Sequence, residues 1–187
     1  LRSQQSKYWN RLDEDRRRQN LRALWRGVSI MISRSVFFMQ EALKEARLAG
    51  EEDDVPVGAV VVYKEKIIAR AHNQVEMLKD PTAHAEMLAL TSATNHLGNK
   101  WLQGASLYVT IEPCSMCAGA LVLARLDAVY FGAKDAKTGA CGSVINIAHH
   151  KKLNHRLKVE GGILAKDCAG LLSEFFRNKR RACSSNG

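Results

Sequence analysis

Residues 106–131, SLYVTIEPCSMCAGALVLARLDAVYF, contain the alternation of elements that runs through most of this chain. The apolar, partly β-branched run Ser106–Thr110 predicts a short strand. Pro113 fits the first turn of a helix, where its missing N–H costs little, and predicts a helix that continues to about Arg125. Ala128–Phe131 predicts a second strand. Strands that alternate with helices indicate an α/β fold with helices on both faces of one sheet.

The residues before this stretch follow a similar alternation, which begins with a helix and a hairpin. Ser35 is a suitable cap for a helix that Gly50 ends. Val57–Tyr63 and Lys66–Ala71 predict two strands joined by a two-residue turn, so the sheet should be mixed rather than wholly parallel. A proline and a threonine then predict a helix over about Ala83–Leu97.

The end of the chain completes the pattern and sets the expected domain limits. Leu157–Glu160 predicts a short strand, and Ala165–Arg181 predicts a last helix. We expect one domain over residues 35–181, a charged extension over residues 1–34 and a flexible tail over residues 182–187. The apolar side of the last helix is expected to consist of Cys168, Leu171, Leu172, Phe175 and Phe176.

The composition suits one globular domain. The chain has 187 residues, of which 46% are hydrophobic and 25% are charged, so it can bury a core. No apolar run reaches the roughly 18 residues that a membrane-spanning helix needs. The five cysteines are odd in number and few for a disulfide framework. We therefore expect no membrane association and a location in the reducing cytoplasm.

Positive charge is concentrated at the two ends of the chain. The formal net charge is +9, with +6 in residues 1–34, −3 in residues 35–148 and +6 in residues 149–187. Such asymmetry favours a polyanionic partner, with nucleic acid ahead of a membrane surface. Basic termini also occur as solvated tails, so the charge alone leaves that alternative open.

Two short motifs indicate the chemistry, namely His84-Ala85-Glu86 and Pro113-Cys114-Ser115-Met116-Cys117. Positions i and i+3 are neighbours on a helix, so Cys114 and Cys117 should direct both sulfurs to one side. Two thiolates and the imidazole of His84 balance the charge of a zinc ion and leave its fourth position open, as in catalytic sites. Glu86 is expected to be the catalytic residue, which accepts and returns a proton without being a ligand. The motifs thus predict one zinc ion per chain.

Each motif alone is compatible with more than one kind of site. A Cys-x-x-Cys pair also occurs as a redox pair, as half of a structural zinc site or as two buried thiols. A redox pair does not account for the His-x-Glu motif. A structural zinc site needs a fourth protein ligand, for which Cys141 and Cys168 are the candidates. The two motifs in this order favour a catalytic site.

The motifs together resemble the signature of zinc-dependent nucleoside and nucleobase deaminases. Over about residues 35–181 the chain is similar to the bacterial tRNA adenosine deaminases. The segments that carry this similarity are Val55–Val60, Asp80–Glu86, Leu107–Cys114, Met116–Ala120, Phe131–Ala140, Asn154–Arg156 and Ser173–Arg177.

This resemblance implies a cytidine deaminase-like fold, which is a three-layer α/β/α sandwich with a mixed central sheet. It also implies a homodimer and the hydrolytic conversion of adenosine to inosine at the wobble position of a tRNA anticodon. By position, it assigns His84, Cys114 and Cys117 to zinc, Glu86 to proton transfer and Asn73 to the nucleoside pocket.

Three further residues fall where the family contacts the anticodon stem-loop, namely Asp135, Asn154 and Phe176. Each could also have a simpler role, because Asp135 could be a loop carboxylate, Asn154 a turn residue and Phe176 a core aromatic. Asn73 could likewise be a turn residue that follows a strand.

The basic residues near the end of the last helix are expected to bind the RNA backbone, and they are Arg177, Lys179, Arg180 and Arg181. The alternative is a solvated tail with favourable charge at a helix C-terminus. Two other functions stay open at this point. A deaminase of free cytidine, guanine or a similar base predicts no salt-sensitive RNA binding, and a non-catalytic tRNA-binding protein with structural zinc predicts that Glu86 is dispensable.

Overall fold

The computed structural model describes residues 34–185, with side chains to residue 182. The chain divides into two units, residues 1–35 and residues 36–187. The extension predicted over residues 1–34 lies outside the described residues except for its last position, as do the last two residues of the predicted tail. In the described part of the chain, no helix is long and apolar enough to cross a membrane.

From residue 34 onward, the chain alternates strands and helices in the order that the sequence predicts, with one short helix added. Helix α1 is described from residue 34 to residue 51. The elements that follow are β1 (Gly58–Tyr63), β2 (Lys66–His72), α2 (Val75–Leu78), α3 (Ala85–Leu97), β3 (Ala105–Ile111), α4 (Ser115–Leu123), β4 (Ala128–Ala133), β5 (Lys158–Gly161) and α5 (Ala165–Ser185).

The strands form one mixed sheet in the order β2-β1-β3-β4-β5. Strand β1 is antiparallel to both β2 and β3, whereas β4 runs parallel to β3 and β5 runs parallel to β4. The turn between β1 and β2 consists of Lys64 and Glu65, whose φ angles of 47° and 63° suit a two-residue hairpin turn. The predicted hairpin and mixed sheet are confirmed.

Helices cover both faces of this sheet. Along β1, Ala59 and Val61 belong to a core that includes residues of α3 and α4. The intervening Val60 and Val62 belong to a second core with residues of α1 and with Cys168 of α5. This alternation follows from the period of two along a strand. The predicted three-layer α/β/α sandwich is confirmed.

Helix α5 differs from its prediction in its apolar side and its end. Its residues in the two cores are Cys168, Leu171 and Leu172. Phe176 is 44% exposed, so its predicted place on a buried apolar side is wrong. The physical reason is that the core ends at Leu172 and the helix continues beyond it, to Ser185 rather than to residue 181.

Candidate active site

The start of α3 places the His-x-Glu motif. The sequence predicted helix from Ala83, but α3 begins at Ala85, because Asp80 closes a turn before it. The Oδ1 of Asp80 accepts hydrogen bonds from the backbone N–H and the hydroxyl of Thr82, each at 2.7 Å. His84 then has extended backbone (φ −68°, ψ 150°) as the N-cap residue, and Glu86 lies in the first turn.

The start of α4 places the two cysteines. Pro113 was predicted in the first turn, but the helix begins at Ser115, and Cys114 is its N-cap residue with extended backbone (φ −71°, ψ 176°). Cys117 lies in the first turn and is fully buried. The helix also ends before Arg125, which has a φ of 57°. The predicted shared orientation of both sulfurs holds, with an N-cap and a first-turn position in place of two first-turn positions.

These two helix starts bring three metal-ligand atoms together. The Nδ1 of His84 lies 3.7 Å from the Sγ of Cys114 and 3.5 Å from the Sγ of Cys117. All three ligand atoms lie within 4.8 Å of one another. Zn–S and Zn–N bonds at a tetrahedral angle require an N···S separation of about 3.6 Å. The three side chains therefore fit a zinc ion, and Cys141 and Cys168 lie outside this group.

Hydrogen bonds and burial shift the pKa values at which these three groups lose their protons. Hydrogen bonds from Cys117 and His84 lower the pKa of Cys114 to about 4. The neighbouring Cys114 sulfur, together with burial, raises the pKa of Cys117. The hydrogen bond to Cys114 raises the pKa of His84. A bound metal ion would displace these protons, because metal ligands must be deprotonated.

Glu86 is the buried acid of this site. Its side chain is 3% exposed, and burial raises the pKa of its carboxyl group above the usual range. Within the described chain, the group of metal-ligand atoms does not include it. A carboxyl group with a raised pKa beside a metal site is suited to general acid–base catalysis.

A cavity of about 260 Å³ opens beside this group. That volume is below the range of pockets for drug-sized ligands and suits a smaller group, such as a single base. The residues around it include Asp54, Asn73, His84, Glu86, Glu112, Cys114, Asp135 and Thr138. The structure thus brings together the predicted metal ligands Cys114 and His84, the acid Glu86, and the predicted substrate-binding residues Asn73 and Asp135.

Asn73 is held by Asp54, a residue for which the sequence predicts no role. Asp54 is 1% exposed, and its Oδ1 accepts a hydrogen bond of 2.6 Å from the Nδ2 of Asn73. Its Oδ2 accepts the backbone N–H groups of Glu76 and Met77, at the start of α2. Asp54 therefore orients the amide of Asn73 in the cavity. It occurs in a run of acidic residues that is typical of a solvated surface, so the sequence contains no signal for its role.

Asp135 forms a turn in the cavity wall. Its Oδ1 accepts the backbone N–H groups of Lys137 and Thr138, and its Oδ2 accepts the Thr138 hydroxyl at 2.5 Å. Its own N–H donates to Glu112, the second buried acid for which the sequence predicts no role. The sequence signal that could have indicated a role for Glu112 is its position directly before Pro113 and Cys114.

The other predicted RNA-binding residues lie outside the lining of this cavity. Asn154 is exposed in the segment before β5. Phe176 and Lys179 line a separate groove, with Met77 among the other residues. The Nζ of Lys179 lies 2.6 Å from an Oδ of Asp53 in an exposed ion pair. The remaining basic residues of the predicted cluster, Arg177, Arg180 and Arg181, are exposed on α5.

The chain is similar to known deaminases over most of its described residues. The family model of MafB19-like deaminases matches residues 34–180. A tRNA-specific adenosine deaminase of Bacillus subtilis is 49% identical over 144 residues, which cover 77% of this chain and 89% of that protein. One of Aquifex aeolicus is 52% identical over 144 residues, which cover 77% of this chain and 95% of that protein.

The chain is also similar to solved structures. A structure from work on A-to-I editing by tRNA:A34 deaminases is 44% identical, has a TM-score of 0.70, and covers 73% of this chain and 99% of its own. A more distant structure, in complex with 2,6-diaminopurine, is 26% identical, has a TM-score of 0.66, and covers 75% of this chain and 80% of its own. The chain therefore belongs to the MafB19-like deaminases and, among these, to the family of tRNA-specific adenosine deaminases.

Proposed function

We propose that this protein deaminates adenosine to inosine at the wobble position of a tRNA anticodon, in a hydrolytic reaction that depends on one zinc ion per chain. The observation that carries the proposal is that His84, Glu86 and Cys114 line one cavity. The identity of 44–52% to proteins named tRNA-specific adenosine deaminase supports the choice of substrate.

His84, Cys114 and Cys117 would hold the zinc ion. Zinc in such a site supplies Lewis acidity, which makes water a nucleophile near neutral pH. Glu86 is the residue that moves protons. Because burial raises the pKa of its carboxyl group, it can take a proton from the attacking water, deliver it to the ring nitrogen beside C6, and assist the departure of ammonia.

The substrate base must enter the cavity as an unstacked base. A single-stranded anticodon loop makes this less costly than a duplex, where pairing must also be broken. The amide of Asn73, oriented by Asp54, is a suitable hydrogen-bonding group for such a base. Asp135 lies on the same cavity wall and is proposed to contact the anticodon loop.

The remaining RNA contacts are proposed for Asn154, for Phe176 and for the basic residues of α5. Phe176 is 44% exposed, so its ring is accessible for stacking on a base. The ion pair of Lys179 with Asp53 does not oppose this role, because an exposed pair contributes at most about 1 kcal/mol.

We further propose a homodimer and a cytoplasmic location. The dimer is supported by large exposed apolar side chains, among them Leu123 (74%), Val144 (52%) and Ile145 (48%). The cytoplasm is supported by the four cysteines of the described region, none of which forms a disulfide.

A deaminase of free bases is the second candidate, because the more distant structure binds 2,6-diaminopurine. A substrate panel separates the two functions. The zinc-loaded protein is incubated with an A34-containing tRNA, the same tRNA with G34, free adenosine, cytidine and guanine, and released ammonia is measured. We expect release from the A34 tRNA alone. Release from free adenosine, cytidine or guanine, without release from tRNA, would establish the second candidate instead.

A further inference from the structure

Glu112 is a buried acid that follows β3 and precedes Pro113 of the metal-binding motif. Its side chain is 1% exposed. Its Oε1 accepts the backbone N–H groups of Cys141 and Ser143, each at 3.0 Å. Its Oε2 accepts the N–H of Asp135 at 3.3 Å and the hydroxyl of Ser143. One carboxylate therefore binds both ends of the segment from residue 135 to residue 143.

All four donors form hydrogen bonds to the carboxylate oxygens of Glu112. An ionised carboxylate offers about four acceptor positions, and the four hydrogen bonds of Glu112 use that capacity. Glu112 thus holds other groups through its four hydrogen bonds, in contrast to Glu86.

The held segment packs closely on Pro113 and Cys114, which form the metal-binding corner before α4. The N–H of Ala140 donates to the carbonyl oxygen of Pro113 at 2.8 Å, and Gly139 forms a β-bridge with Cys114. A Cβ atom at Gly139 would lie 2.6 Å from the carboxyl carbon of Glu112. The segment can approach the carboxylate this closely only with glycine at that position.

The same segment supplies part of the cavity wall, through Asp135 and Thr138. We propose that Glu112 is a positioning residue for substrate binding, which fixes the segment of residues 135–143 against the metal-binding corner and so places Asp135 and Thr138 for the RNA. This inference rests on the proposed function. Glu112 itself is expected to touch no substrate, because its oxygens are occupied.

The first test is Glu112→Gln, which keeps the shape of the side chain and removes its charge. Whichever way the amide turns, the two donors on one of its sides lose their acceptor. We expect KM for an A34-containing tRNA to rise by about tenfold or more, with kcat nearly unchanged, since binding and not the chemical step is affected. Zinc content should stay at one ion per chain. Glu160→Gln is the matched control, because Glu160 is an exposed acid of β5 that does not line the cavity.

Amide hydrogen exchange tests the contact directly. In Glu112→Gln, the N–H groups of Cys141 and Ser143 should exchange roughly ten- to a hundredfold faster, because hydrogen bonds to a charged group are lost. Amides of β3, such as that of Val109, should exchange as in the wild type. A purely structural role would instead accelerate exchange across the whole domain.

Ser143→Ala is the second variant, for the case that Glu112→Gln does not fold. It removes one of the four donors, and we expect KM to rise about three- to tenfold. The same change should have a smaller effect in the Glu112→Gln background, because the two side chains interact.

Unchanged KM and unchanged exchange at residues 141 and 143 would overturn the inference. It would also be overturned if kcat fell in proportion to melting temperature and zinc content while KM stayed constant. If the wild type forms no inosine, the proposed function fails, and the exchange measurement still decides whether Glu112 holds the segment.

Discussion

The Nδ1 of His84 lies 3.5 Å from the Sγ of Cys117, although 33 positions separate the two residues. The contact arises because α3 and α4 both begin at the same cavity, each after an extended N-cap residue, His84 for α3 and Cys114 for α4. The positive end of each helix therefore lies at the metal-binding group, where it favours thiolates.

Loss of one cysteine ligand should remove the metal. Mutation of outer-shell residues already costs ten- to a hundredfold in metal affinity, so Cys114→Ser should weaken zinc binding by more than about a hundredfold. The measurement is zinc content after dialysis against a weak chelator. Cys168→Ser is the matched control, because Cys168 lies on the other face of the sheet. Full zinc retention in Cys114→Ser would exclude Cys114 as a ligand.

Replacement of the buried acid should separate catalysis from binding. Glu86→Gln should lower kcat by about 10²- to 10⁴-fold, because proton transfer is lost, while zinc content and tRNA affinity stay near those of the wild type. Single-turnover inosine formation measures the effect, with Glu160→Gln as the control. A rate for Glu86→Gln close to the wild-type rate would show that Glu86 does not transfer the proton, as expected of a protein in which zinc is merely structural.

The basic residues of α5 should act through phosphate contacts. Each such contact contributes a slope of about −0.7 to log affinity against log salt for single strands. Arg180→Ala with Arg181→Ala should therefore weaken tRNA binding and flatten the slope by up to about 1.4 units, without loss of zinc. Lys64→Ala with Lys66→Ala, at the hairpin of β1 and β2, is the control of equal charge. If affinity and slope do not change, α5 ends in a solvated tail.

The carboxylate of Glu41 should make stability depend on pH. Hydrogen bonds from Lys44 at 2.5 Å and Arg70 at 2.6 Å lower its pKa below the ordinary value of 4.5. A carboxyl group whose pKa is lowered in the folded state stabilises the fold at pH values above its ordinary pKa. This contribution is lost as the pH falls through the lowered pKa. Glu41→Gln should therefore reduce the free energy of unfolding by about 1 kcal/mol at neutral pH and by almost nothing in strong acid.

Urea denaturation of Glu41→Gln and of the wild type from pH 7 to pH 2 measures this difference. Glu51→Gln, at an exposed position near the end of α1, is the control. A difference between Glu41→Gln and the wild type that stays constant with pH would mean that these hydrogen bonds do not depend on the charge of Glu41.

The sequence predicted the elements that have a clear hydrophobic periodicity or are bounded by capping and turn residues. Apolar β-branched runs indicated β1 and β2, and the spacing of the two motifs indicated the three candidate metal ligands, whose ligand atoms the structure brings together. The helix starts were placed too early, because the turn at Asp80 and the extended N-cap residues depend on contacts that residue types alone do not specify. The short helix α2 was missed, because four residues are too few to show a helical period.

The residues that support the site were harder to predict. Asp54 and Glu112 are 1% exposed, yet acidic residues are almost always at the surface, so their types argue against burial. Their roles depend on donors from distant segments, such as Asn73 for Asp54 and Ser143 for Glu112. Phe176 was predicted to contact the anticodon loop and also to lie on the apolar side of α5. It is 44% exposed because its helix extends past the core.

The most direct test of the proposed activity is the identity of the base at position 34 after reaction. An A34-containing tRNA is incubated with the zinc-loaded wild-type protein, and the product is sequenced after reverse transcription, where inosine is read as guanosine. We expect conversion at position 34, no conversion of other adenosines, and conversion reduced by at least about a hundredfold with Glu86→Gln. An unchanged adenosine at position 34, with folded and zinc-loaded protein, would contradict the proposed activity.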